Sequence, residues 1–84
     1  MVAPEPATGL GATIYYRLSA SGVTAMRIID LDGRILQTIQ LGSQPAGEHN
    51  YRFGMLSKIA LGNYILVLEQ NSKVVARSPF VIAR

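Results

Sequence analysis

From Ala12 onward the chain alternates between apolar and polar positions. Thr13-Ile14-Tyr15-Tyr16-Arg17-Leu18 places Ile14, Tyr16 and Leu18 on one side of an extended strand. The adjacent tyrosines must then face opposite ways, one to a core and one to the surface. Ser19-Ala20-Ser21-Gly22 is a turn cluster. Val23 to Leu31 reads as the next strand, with Thr24, Met26 and Ile28 on one face and Ala25 and Arg27 on the other. Asp32-Gly33 supplies two residues that tolerate positive φ, which predicts a two-residue type I′ hairpin. Arg34 to Leu41 is the return strand, and Gly42 to Gly47 reads as a loop.

Glu48 to Phe53 alternates again, with His49, Tyr51 and Phe53 on one side. Gly54 to Gly62 is bounded by glycines and predicts a structured loop that tucks Leu56 or Ile59 into the core. Asn63 to Gln70 turns Tyr64, Leu66 and Leu68 inward, and Asn71-Ser72 makes a turn in which Asn71 takes the left-handed conformation. Lys73 to Arg84 is the last segment. Pro79 cannot donate to a sheet ladder, so the segment is an edge strand, or two short strands with a bulge between them. Residues 1–11 hold Pro4, Pro6 and two glycines and read as a linker with no strand pattern, followed by a domain over 12–84.

Six or seven short strands at a spacing of about 8–12 residues, with no helix, predict an all-β fold, an immunoglobulin-like antiparallel sandwich. An open barrel is the runner-up. The expected core comprises Tyr16, Met26, Ile28, Leu36, Tyr51, Phe53, Tyr64, Leu66 and Leu68.

Composition narrows the function. A chain of 84 residues with 49% hydrophobic and 15% charged residues supports one compact, thin-cored domain rather than disorder. Without cysteine, stability must come from packing and backbone pairing. The net charge of +3 comes from eight scattered basic residues that form no stripe, which argues against nucleic acid as a partner. The apolar runs are shorter than the roughly 20 residues of a membrane-spanning helix. Met1-Val2-Ala3-Pro4-Glu5-Pro6 has no basic or apolar stretch of a signal peptide.

Candidate chemistry is sparse. His49 is the one histidine, and Glu48 beside it suits a strand start as well as a reactive pair. Asp30-Leu31-Asp32-Gly33 begins like a calcium loop but lacks the later ligands and closing Glu, so a hairpin turn is the better reading. One exposed tyrosine could form part of a sugar-binding platform. The residues alone support a noncatalytic β-sandwich with no metal and no cofactor.

Four motifs in order carry a resemblance: Thr13-Ile14-Tyr15-Tyr16-Arg17-Leu18, with a turn to Gly22; Thr24 to Leu36, containing Asp30-Leu31-Asp32-Gly33-Arg34; Ala46-Gly47-Glu48-His49; and Ile59-Ala60-Leu61-Gly62-Asn63-Tyr64-Ile65-Leu66-Val67-Leu68. From Ala12 to Arg84 the chain resembles the C-terminal sorting domain of bacterial type IX secretion substrates. It departs from that pattern at Pro6-Ala7-Thr8, where Asn-Pro is usual. It departs again at Arg77-Ser78-Pro79, where the family carries lysines around a hydrophobic pair. The resemblance implies a noncatalytic signal that takes an upstream passenger through the periplasm and across the outer membrane. The passenger is then attached at the surface to lipopolysaccharide or secreted. The implied partners are the passenger and the outer-membrane secretion machinery, and a monomer is expected. Lys73, Arg77, Phe80, Ile82 and Arg84 are the expected recognition residues on the last strand, while Asp30, Gly33, Arg34, Gly47, Gly62 and Tyr64 are motif positions. The alternatives are an accessory module that binds polysaccharide or cell wall, and a structural domain of the flagellar hook-capping sort, which shares much of the pattern.

Overall fold

The computed structural model describes residues 1–4, 11–54 and 60–83. The strands are β1 (Val2–Pro4), β2 (Gly11–Leu18), β3 (Gly22–Ile29), β4 (Ile35–Gln44), β5 (Gly47–Gly54), β6 (Gly62–Gln70) and β7 (Lys73–Ile82). They form two antiparallel sheets, ordered β1-β2-β5 and β4-β3-β6-β7. The chain passes from sheet to sheet after β2, β4 and β5, and forms hairpins at β3–β4 and β6–β7. Among the described residues this is an immunoglobulin-like β-sandwich of seven strands.

Alternation builds the core. Ala12, Ile14, Tyr16 and Leu18 of β2 and Phe53 of β5 face Met26 and Ile28 of β3, Leu66 and Leu68 of β6, and Phe80 and Ile82 of β7. Burying each large side chain contributes about 1.5–3 kcal/mol relative to leaving it in water. Thr24 lies in the same inward row, and its hydroxyl donates to the Gly22 carbonyl at 3.1 Å, so no buried polar group is orphaned there. Tyr51 and Tyr64 pack against this core half-buried. The two tyrosines of β2 divide as alternation requires, Tyr16 inward and Tyr15 outward at 45% exposure.

Several sequence expectations are corrected. Val2–Pro4, in the stretch expected to carry no strand, pairs with β2 from Val2↔Tyr16 to Pro4↔Ile14, and Val2 joins the core. The segment expected to be a loop from Gly42 continues as β4 to Gln44, which leaves only Pro45-Ala46 between β4 and β5. Leu36 is 40% exposed rather than buried. The cause is a bulge: Ile28 pairs with Gln37 and Ile29 with Ile35, so Leu36 has no partner and shares the solvent face with Thr38 and Gln40. Residues 55–59, which include both Leu56 and Ile59, lie outside the described residues.

β7 is an edge strand, as Pro79 requires. Its irregularity falls elsewhere, because Leu68 pairs with Ala76 and Glu69 with Val74, leaving Val75 as the extra residue. β1 packs beside β7 across the open side of the sandwich. Three strands therefore lie under four, and β4 is the one that overhangs. Its inward residues Gln37, Ile39 and Leu41 are only half-buried, while their counterparts on β3 and β6 are buried.

Candidate functional site

The β3–β4 hairpin closes differently from the two-residue turn expected at Asp32-Gly33. Gly33 N donates to Asp30 O, and Asp30 N donates to Arg34 O, both at 3.0 Å. The loop is therefore the three residues Leu31-Asp32-Gly33, a turn followed by a left-handed residue in bulge position. Gly33 has φ 89°, whereas Asp32 does not adopt positive φ. The carboxylate of Asp30 fixes this loop. Its Oδ1 accepts from the backbone N–H of Asp32 at 3.0 Å and of Arg34 at 2.8 Å, and its Oδ2 lies 3.5 Å from Arg34 Nε. Arg34 is mostly in water, so the two backbone bonds matter more than the ion pair. These bonds give the Asp-x-x-Gly-Arg spacing a structural purpose.

At Ala46-Gly47-Glu48-His49 the chain crosses from β4 to β5. Gly47 takes φ 122°, a value that side chains resist. His49 braces the crossing: its Nε2 donates to the Pro45 carbonyl at 2.8 Å, since a carbonyl can only accept. The imidazole also stacks on Tyr16, its direct partner across β2 and β5, with centroids 5.1 Å apart. Both ring contacts hold the crossing in place. Burial of Tyr16 raises the pKa of its phenol.

The last motif forms a corner at the start of β6. Gly62 opens the strand with φ 151°, and Tyr64 donates its phenolic hydrogen to the carbonyl of Ala60. A tyrosine near the start of the sixth strand, bonded back to the chain four residues earlier, is the tyrosine corner of immunoglobulin-like sandwiches.

The terminal strand divides the expected recognition residues. Phe80 and Ile82 are core residues, 1% and 2% exposed, so their side chains are closed to any partner of the folded domain. Lys73 and Arg77 are exposed but do not form one charged row. Lys73 pairs with Gln70, whose partner is inward-facing Thr24, while Arg77 pairs with Val67, whose partner is outward-facing Arg27. The extra residue Val75 between them shifts the phase. Arg84 lies outside the described residues. Arg77 instead joins Ile65, Ser78 and Pro79 around a shallow, open depression on the outer face of the four-stranded sheet. On the same face Arg27 Nε stands 3.3 Å from Glu69 Oε2, without hydrogen-bond alignment.

Sequence reasoning missed the role of Asn71. Asn71 and Ser72 both take left-handed φ, 52° and 67°, and form the tight β6–β7 turn. Asn71 also clasps β3: its N–H donates to Val23 O at 2.8 Å, and its Oδ1 accepts from Val23 N at 3.1 Å. Gly22 is the signal for this contact, because a Cβ there would meet the Asn71 amide at about 3 Å.

In comparisons with known proteins, the chain matches no family model and no curated protein sequence.

Proposed function

We propose that this domain is a noncatalytic export module. It would direct an upstream passenger across the outer membrane by the type IX route, through the periplasm to the cell surface or the medium. The observation that carries the reading is the order of the four motifs along the chain. Each has a distinct part in one scaffold: the inner strand β2, the Asp30-clamped hairpin, the His49-braced crossing and the Tyr64 corner. A module of this kind needs a small stable fold and an accessible edge. β7 offers backbone groups for strand pairing, with Lys73 and Arg77 in solvent. With Phe80 and Ile82 in the core, recognition would read the β7 backbone and its exposed side chains.

The test is export. A passenger fused ahead of Met1, which keeps strand β1 and the core residue Val2, and given an ordinary signal peptide, should reach the surface of a bacterium with type IX secretion. Lys73, Arg77 and Arg84 changed together to Gln should lower export while melting is retained, since surface changes of this kind move stability by about 0.5 kcal/mol or less. Undiminished export of the folded triple variant removes the charges from recognition. No export by the parent domain removes the whole reading.

A second reading, a polysaccharide-binding module, is favoured by Tyr15. Its ring stands exposed on the outer face of the three-stranded sheet, directly opposite Asn50, with Thr13 bonded to Arg52 two pairs along on the same face. Binding to cell-wall polysaccharide that is lost in Tyr15→Ala, with no export, would put this reading first.

A further inference from the structure

The two edges of the four-stranded sheet are built in opposite ways. β7 carries features that oppose pairing with a second copy of itself: the like charges of Lys73 and Arg77, with Pro79 and the extra residue at Val75 interrupting the ladder. It also has β1 beside it. β4 reads Ile35-Leu36-Gln37-Thr38-Ile39-Gln40-Leu41-Gly42-Ser43-Gln44, with no charged residue and no proline. It is an outer strand, and it overhangs the sheet beneath, so Ile39 and Leu41 face inward yet remain half in water. Edge, outer face and part of the inner face are thus all accessible on one uncharged strand.

We propose that β4 pairs with the β4 of a second copy of this chain, joining the two four-stranded sheets antiparallel about a two-fold axis at Ile39. This inference stands apart from the export reading and replaces the expected monomer. Self-complementarity selects the occupant. A two-fold perpendicular to the sheet keeps each outer face on the same side. Placed at Ile39, it sets Ile39 against its own mate on the inner face and Thr38 against Gln40 on the outer face. No like charges meet, and the amide and hydroxyl of the outer pair can hydrogen-bond. The same operation on β7 about Arg77 would oppose two guanidinium groups. Register shifts at Leu36 and Leu41 confine the regular run to Gln37–Gln40, so the contact is short. Interfaces well under about 1,200 Å² are transient, and association is expected to be weak and concentration-dependent.

Sedimentation velocity on the 84-residue chain tests this. The weight-average coefficient should rise from monomer at about 10 μM towards dimer at about 1 mM, the range of weak interfaces. Thr38→Lys with Gln40→Lys opposes ammonium groups across the axis and should weaken association by about tenfold or more. Mixing that variant with Thr38→Glu, Gln40→Glu should restore a heterodimer, which a merely structural defect would not. Val81→Lys, exposed on β7, should leave association unchanged. A check that needs no charge change uses the absence of cysteine: a nitroxide on Gln40→Cys should show dipolar broadening in concentrated solution, and one on Val81→Cys should not. The proposal is overturned by a monomer at every concentration. It is equally overturned by a dimer that the lysine pair leaves intact, or by one that Val81→Lys dissolves.

Discussion

Tyr64 donates its hydroxyl proton to the carbonyl of Ala60, four residues earlier, across the corner that leads into β6. The ring packs half-buried against the core, and the hydroxyl ties down the chain where it passes from one sheet to the other. Tyr64→Phe keeps the ring and removes only the hydrogen bond, so it should cost about 0.5–1.5 kcal/mol in urea denaturation. Tyr64→Ala also loses the packing and should cost about 3–5 kcal/mol if the ring behaves as a core aromatic. An unchanged midpoint in Tyr64→Phe would mean that the corner is held by other contacts.

Asp30 does two things at the hairpin, and substitution separates them. Asp30→Asn keeps an oxygen for the N–H groups of Asp32 and Arg34 but loses the ion pair with Arg34, which is largely in water. It should change stability by about 0.5 kcal/mol or less, whereas Asp30→Ala should cost about 1–2 kcal/mol, because both backbone donors lose their acceptor. Equal losses in the two variants would assign the loop's order to the charge. Gly33→Val adds a separate penalty. Nothing lies within 4 Å of a Cβ at Gly33, so the cost comes from φ 89° alone, about 1–2 kcal/mol, and Gly33→Asn should be milder.

Alkaline pH should expose the burial of Tyr16. Desolvation raises its folded pKa above the ordinary tyrosine value of 10.0. In the unfolded chain the phenol ionises near about 10. Below that value both states keep the proton, and the contribution to stability is fully present. Above it the unfolded state loses the proton first, so stability falls as pH rises through the folded pKa. Melting temperatures followed from pH 8 upward should decline less steeply in Tyr16→Phe than in the parent. Parallel declines would mean that other groups carry the alkaline loss.

The strands with uninterrupted alternation were legible in the sequence, and those with an added residue were not. β2, β3 and β6 keep phase along their length, so Ile14, Met26 and Leu66 could be assigned to the core from spacing alone. β1 is three residues long and ends at Pro4, and its pairing comes from the facing strand rather than from any local pattern. Gly42 and Ser43 look like a loop but stay in the β4 ladder, Gly42 at positive φ beside a bulge. The candidate site was half legible. The motif spacing singled out Asp30, Gly33 and Tyr64, but their acceptors and donors depend on how the loops close. On β7, Phe80 and Ile82 fall inward by alternation. A separation of four places Lys73 and Arg77 together only in a strand with no extra residue.

Leu36 and Leu66 turn that contrast into a measurement. Both are leucines in strand patterns, and spacing alone assigns both to the core. Leu66 is fully buried on β6, opposite Ile28, whereas Leu36 sits unpaired at the β4 bulge with its side chain on the solvent face. Leu66→Ala removes buried methyl groups and leaves a cavity, at a cost of about 2–5 kcal/mol. Leu36→Ala removes a side chain that is 40% exposed on the solvent face and leaves no closed cavity, so it should shift stability by about 1 kcal/mol or less. Chemical denaturation of the two variants under one condition makes the comparison, because parent and denaturant response are shared. A loss at Leu36 approaching that at Leu66 would put Leu36 in the core and remove the bulge between Ile28 and Ile29. The inward row of β4 would then shift by one residue, and Thr38 and Gln40 would no longer face solvent.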